Sequence, residues 1–418
     1  MSVLSFPLAA LCLGAAYGKG AEVLAGIGCL VAIMSMIRDG VPSWHRATIA
    51  VATVFAVYFL FFTLHDTFFT RDILASVAEM RVNLPILFSV TLCLHAAREA
   101  DWLNAEAIGR VVTWSTLAIC LLSAILYLYV THHSNLPHIL DETVADGRFR
   151  FHARNALMFA SQLTGLSFLS LLGHARRSRM DRHLAEIACV LGTLVVLLLA
   201  QARGATLTAL LLAVVALWYV RPSLEFPRLK LALGVMAVVS ATLWLSLEPG
   251  AGRNIITRFG SAVGMAGGVS AVDGSTSQRL AMYEAGWHAF LEQPLTGYGY
   301  SRRFEAATAF FPPGLDLSYT HLHNDYLTHL VAAGIPGILV FLAYVCLPLA
   351  VLVLTGRPSR DLKYMAFTGT LLMGGIASTT AILGHDIHTT YFSMLIIMTL
   401  TVALGEDRKG QDHEVPLS

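Results

Sequence analysis

Residues 47–64 read ATIAVATVFAVYFLFFTL, a run without a single charge. About 20 such residues, rising roughly 1.5 Å each as a helix, cross a hydrocarbon layer about 30 Å thick. Working outward, comparable runs centre on 4–18, 21–37, 79–97, 111–131, 155–173, 184–201, 205–220, 230–247, 335–355, 364–383 and 391–405. The pattern predicts about twelve spans. In lipid, backbone polar groups are paired only within helices or around closed barrels. The short alternating strands of a barrel do not occur, so the expected fold is an all-α polytopic membrane protein. Gly374 and Gly375 suit close helix packing in lipid. The apolar start, Met1 to Gly18, lacks the basic residues of a cleaved leader and reads as a first, short span.

Composition agrees. Of 418 residues, 56% are hydrophobic and 13% charged, well below the roughly 25% charged of a water-soluble domain. A formal net charge of +1 gives no argument for nucleic acid. Cys12, Cys29, Cys93, Cys120, Cys189 and Cys346 all lie inside apolar runs. They read as small packing residues rather than a disulfide framework.

Orientation follows from Lys and Arg in short loops. Alternation from a cytoplasmic N-terminus puts Arg38, Arg46, Arg98, Arg110, Arg176, Arg177, Arg179, Arg182, Arg221, Arg228, Lys230, Arg357, Arg360, Lys363, Arg408 and Lys409 inside. That is more than half of the 28 basic residues. The expected organisation is nine spans over 1–247, a large outer loop with an interfacial His helix over 248–334, three spans over 335–405, and an inner tail over 406–418. The long loop has a Gly/Ser stretch from Gly264 to Ser277. A helix follows from Gln278 to Leu291, ended by Pro294 and Gly297-Tyr298-Gly299-Tyr300. Long loops with structure of their own usually carry function.

The outer side collects polar residues beside the spans: Arg148, Arg150, His152, Arg154, Arg203, Arg279, His321, His323, Asn324, Asp325, His385, Asp386 and His388. Guanidinium forks match phosphate oxygens two at a time, which suits a diphosphate. Helix-end snorkelling is the plainer alternative for each arginine. Arg203 stands out because its hairpin is tight, and a charge near the apolar zone is costly without a partner. Asn324 and Asp325 suit a helix start. Gly334 and Pro336-Gly337 then break that short helix. An imidazole at position 323 can take a proton from a sugar hydroxyl, or simply be hydrogen-bonded at a loop end. The spacings His321-x-His323 and His385-x-x-His388 invite zinc, but there is no His-Glu-x-x-His and no outer cysteine. No metal and no cofactor are expected.

At these residues the sequence resembles the O-antigen ligase family, within the group of lipid-linked oligosaccharide ligases and polymerases. The motif is His323-Asn324, nine residues, then Gly334-Ile335-Pro336-Gly337, with Arg203-Gly-Ala-Thr-Leu207 and the stretch Ser277 to Gly299 beside it. The resemblance covers roughly residues 110–405. It implies a GT-C-like, inverting, metal-independent glycosyltransferase in the bacterial inner membrane, with its site facing the periplasm. The implied donor is a glycan on undecaprenyl diphosphate and the implied acceptor is the lipid A-core. Arg203 and Arg279 would bind the diphosphate, and His323 would activate or position the acceptor hydroxyl. Arg148, Arg154, His321, Asn324 and His385 are further substrate-binding candidates. An O-antigen polymerase or a protein O-oligosaccharyltransferase would share the motif. A transporter would instead need charges buried at mid-membrane, and a zinc hydrolase would need a metal.

Overall fold

The computed structural model describes residues 2–14, 18–40, 45–100, 103–132, 144–145, 148–149, 156–173, 180–200, 202–220, 230–236, 274–312 and 321–412. Helices α1 (Ser5–Gly14), α2 (Gly18–Asp39), α3 (Arg46–Thr70), α4 (Ile73–Met80), α5 (Leu84–Glu99) and α6 (Ala105–His132) lead the chain. A two-residue antiparallel pair follows, β1 (Val144–Ala145) with β2 (Arg148–Phe149), which puts Ala145 opposite Arg148. Then come α7 (Ala156–Leu169), α8 (Met180–Ala200), α9 (Arg203–Val220), α10 (Gly274–Glu292) and α11 (Arg303–Thr308). Helices α12 (Asp325–Val345), α13 (Leu347–Leu354), α14 (Arg360–Ala377) and α15 (Asp386–Asp412) complete it.

Six helical segments among the described residues are long and apolar enough to cross a membrane: Lys19–Asp39, Arg46–Thr70, Ile73–Ala96, Ala105–Val130, Asp325–Val345 and Asp386–Arg408. Each of the six overlaps one of the about twelve runs expected from the sequence. Helix α1 has ten residues, which reach only about 15 Å. The apolar parts of α7, α8 and α9, Ala156–Leu169, Leu184–Ala200 and Gly204–Val220, are shorter than those six. The run read as 335–355 divides between α12 and α13, and the run read as 364–383 ends as helix at Ala377 and turns. Residues 237–247 lie outside the described residues. So does the Gly/Ser stretch as far as Asp273, while Gly274 to Ser277 form the start of α10.

The core forms around α15, whose span window is wholly buried. Helices α1, α2, α3, α5, α13 and α14 pack around it. Its hydroxyls are satisfied locally: Thr399 and Thr401 donate to the carbonyls of Leu395 and Ile397, both at 2.9 Å. Such back-bonding lets a polar side chain sit in an apolar interior. Every residue of α7 is buried as well, so its sequence shows no polar face.

The bundle has two recognisable ends. At one lie the end of α3, the starts of α5, α9, α12 and α15, and the segment 293–301. The other gathers Arg38, Asp39, His45, Arg98, Arg360 and Asp407, where α2, α5 and α15 finish and α3 and α14 begin.

Candidate functional site

The His–Gly motif has a structural reason at each end. Asn324 is the N-cap of α12, its side-chain oxygen accepting from the Leu327 N–H at 3.1 Å. His323, just before it, has φ +52, a left-handed backbone uncommon for a residue with a Cβ. The Tyr283 hydroxyl donates to the His323 carbonyl at 3.0 Å and holds that conformation. At the far end α12 breaks at Ala333 and Gly334, as the sequence implied. Gly334 has φ +62 and ψ −150, a region only glycine occupies readily. A Cβ there would stand 2.4 Å from the Pro294 carbonyl oxygen. The Ile335 N–H donates to that same carbonyl at 2.8 Å. Tyr298 and Gly299 N–H groups donate to Val331 and Ala332 at 3.0 and 2.9 Å, locking the loop segment into the kink.

Three imidazoles meet at the start of α12. The His321 ring centre is 4.3 Å from that of His323 and 5.0 Å from that of His385. Burial is the largest influence holding His323 down to about 4, followed by the positive charge of Arg279 and then His385. His321 is pushed down to about 3 by burial first, then by His323, His385, Arg303 and Arg279. Both rings are neutral at pH 7 and able to accept a proton. Arg279 stands one turn before Tyr283 on α10, so the two share a side of that helix.

His385 comes from the turn joining α14 to α15, and a buried polar clamp holds that turn. One oxygen of the Asp325 carboxylate accepts from the Ile382 and Leu383 N–H groups at 2.5 and 2.9 Å. The Asn83 side-chain oxygen accepts from the Gly384 N–H at 3.1 Å and from the Thr389 hydroxyl at 3.3 Å. The His388 ring bonds the Ala381 carbonyl at 3.0 Å. The turn is therefore fixed against α12 from below, and Lys19 pairs with Asp386 at its edge.

Of the residues singled out from the sequence, His321, His323, Asn324, Arg279 and His385 converge. Asn324 uses its oxygen as a helix cap. Arg203 is the first residue of α9, and its side chain lies outside what is described. Its neighbour Gly204 presses on the same turn: a Cβ there would stand 2.1 Å from the Thr379 hydroxyl oxygen. Arg148 is placed by backbone alone, in β2 beside α8. Arg154 lies outside the described residues, as do Arg150 and His152. His388 is fully buried and bonded to the turn, so it braces the site rather than lining it. Among the described residues, no group of three or more His, Cys, Asp or Glu is arranged to hold a metal ion.

Sequence reasoning missed Asp325 as a clamp, Asn83 and Tyr283. Asp325 is wholly buried, and His329, one turn on, bonds the Asp325 carbonyl at 2.6 Å and the Tyr58 hydroxyl at 2.8 Å. Tyr283 could have been found from its spacing of four from Arg279.

Residues 187–342 match the family model described as O-antigen ligase. That segment runs from within α8 to near the end of α12 and contains Arg203, Arg279, His323, Gly334 and Gly337. No curated protein matches the chain. The O-antigen ligase resemblance read from the motif is thus borne out over these residues, in a multi-pass helical membrane protein. Members of the family are glycosyltransferase-like ligases and polymerases.

Proposed function

We propose, from the O-antigen ligase match over residues 187–342, that this chain transfers O-antigen polysaccharide from undecaprenyl diphosphate to the lipid A-core. The observation that carries the proposal is the meeting of neutral His321 and His323 with the Arg279 charge at the start of α12. The site would face the periplasm. In support, Arg38, Arg98 and Arg360 bond at the opposite end of the bundle, where short-loop basic residues mark the cytoplasmic side.

In the reaction a core sugar hydroxyl attacks the anomeric carbon of the donor glycan. A new C–O bond forms on the face opposite the diphosphate, and the bond to the diphosphate oxygen breaks with its electron pair. Attack from that face inverts the anomeric centre. His323 takes the hydroxyl proton. Arg279, with Arg203 at the neighbouring helix start, neutralises the leaving diphosphate, the role a metal ion takes in other transferases. Charge couples the two steps. An arriving diphosphate offsets the Arg279 field, which adds to burial in holding His323 down, so the imidazole becomes a stronger base once the donor is bound.

The test is complementation of a ligase-deletion strain with the wild-type chain and with His323→Ala. The wild type restores polymer on the core. The variant leaves it bare while undecaprenyl-linked chains accumulate. Normal ligation by His323→Ala would overturn the assignment of the base. A deletion of this gene in its own host that leaves single repeats on the core would make the chain a polymerase instead.

A further inference from the structure

Helix α10 has two faces. Met282, Ala285, Gly286 and Ala289 are buried against Leu322, Leu327 and Val331. The opposite face exposes Leu280, Trp287 and Leu291 at 50%, 49% and 53%, and Leu295 just beyond the helix at 68%. Steps of seven and four residues place them in one stripe.

That stripe continues into another. The Pro294 carbonyl bonds the Ile335 N–H. From there α12 exposes Ile335, Leu339 and Leu342 at 44%, 60% and 36%, on a segment apolar and long enough to span. The contacts run in step along both helices: Tyr283 meets His323, Gly286 meets Leu322 and Leu327, and Pro294 meets Gly334. So α10 lies alongside the first segment of α12 and ends level with its kink, where the lipid-facing stripe begins. Other residues of α10 point elsewhere. Glu292 borders a cavity of about 410 Å³ with Tyr298, Arg302, Glu305 and Phe310.

We propose that α10 is an interfacial helix seated on the bilayer, with Leu280, Trp287, Leu291 and Leu295 in the boundary between headgroups and acyl chains. The occupant of this face is lipid because the face is continuous with that of a spanning helix. Helices of this kind bury their apolar side roughly 5–10 Å into the boundary, and tryptophan favours that layer. Glu284, exposed on the same face, keeps the helix at headgroup level rather than in the hydrocarbon. The seat places Arg279, next to Leu280, at the depth where a lipid-linked phosphate lies. The inference concerns where the helix sits and stands apart from the reaction proposed above.

The test uses the full chain in vesicles of phosphatidylethanolamine and phosphatidylglycerol. Cys346→Ser removes the exposed thiol, and Trp287→Cys, Leu291→Cys or Glu292→Cys then carries a nitroxide spin label. Labels at 287 and 291 should collide preferentially with oxygen, which concentrates in lipid. A label at 292 should collide with a water-soluble nickel complex, so that the oxygen-to-nickel ratio differs severalfold between the faces. Equal ratios at 291 and 292 would overturn the proposal, and so would shielding of 287 and 291 from both reagents, which would mean protein covers the stripe. Transfer activity is assayed on the same samples, so loss of activity with the lipid contact intact would count against the reaction and not against the seat.

Discussion

The two ends of this bundle treat polar groups in opposite ways. At the far end, Arg38 bonds Asp39 at 2.8 Å, Arg98 reaches Asp39 at 3.4 Å, and His45 meets Asp407 at 3.2 Å, all among partly or largely exposed side chains. Water screens these pairs, and each contributes little. At the site end, Asp325, Asn83 and His388 are buried and bonded into one turn. A buried polar group is costly to orphan, so each bond there has large consequences. The contrast separates groups that decorate helix ends from groups that hold a reactive geometry.

The largest effect should come from the imidazole itself. His323→Ala should lower transfer by about 10²–10⁴-fold, the usual range for a lost general base, in an assay with defined lipid donor and acceptor. Its pH profile sharpens the comparison. Held down to about 4 rather than the ordinary 6.5, His323 in the free protein stays neutral until the pH falls through about 4. The acid limb of kcat/KM should therefore lie well below 6.5. The limb of kcat should lie higher, because bound diphosphate raises the imidazole. A kcat/KM limb at 6.5 would mean that neither burial nor the Arg279 charge lowers this imidazole in the free protein.

Next is the kink. Gly334→Ala puts a Cβ at 2.4 Å from the Pro294 oxygen in a backbone region reserved for glycine, so the loss of stability should be on the order of 3 kcal/mol or more. Gly40, at the far end, gives the control. Its φ is +80, yet nothing lies within 4 Å of a built Cβ, so Gly40→Ala should cost only about 1 kcal/mol. Thermal unfolding of both variants in detergent reads the difference. Similar melting temperatures would mean that the contacts at Gly334 are not what makes that kink matter.

The clamp comes third. Asp325→Ala strands the Ile382 and Leu383 N–H groups, at roughly 1–3 kcal/mol each. Asp325→Asn keeps an oxygen that can accept from both. The Asn variant should unfold close to the wild type and retain most transfer, while the Ala variant loses stability and activity together. If Asn failed as badly as Ala, the charge itself, rather than the anchoring of the turn, would be what the site needs.

The same contrast explains what could be read from the sequence. Local signals held. The helix expected from Gln278 to Leu291 is present as Gly274–Glu292, and the start at Asn324 and the break at Gly334 fall where cap and glycine chemistry put them. These depend on neighbours within a few residues. The Asp325 bonds reach partners 57 and 58 residues away, and the Asn83 bond to Gly384 reaches 301. No periodicity reports contacts of that kind, so His385 could be suspected but its support could not. Counting spans meets a related limit. Hydropathy registers that α1 and α7 are apolar, but not that they run only 10 and 14 residues or that α7 is wholly buried.

The smallest effect is expected at the far end, and the geometry says why. Asp39→Asn removes the charge that faces Arg38 and Arg98. Arg38 is mostly in water, with 78% of its side chain exposed, and loses nothing that solvent does not replace. Arg98 keeps its bonds to the carbonyls of Asp39 and Gly40, at 3.2 and 2.8 Å, and to the Ser35 hydroxyl at 3.1 Å. Those bonds tie α5 to α2 through the backbone, which the substitution leaves in place. Melting temperature and transfer should both match the wild type within error, at low and at high salt. A drop comparable to that of Asp325→Ala would show that the far end is also held by its charges, and the distinction between the two ends would fail.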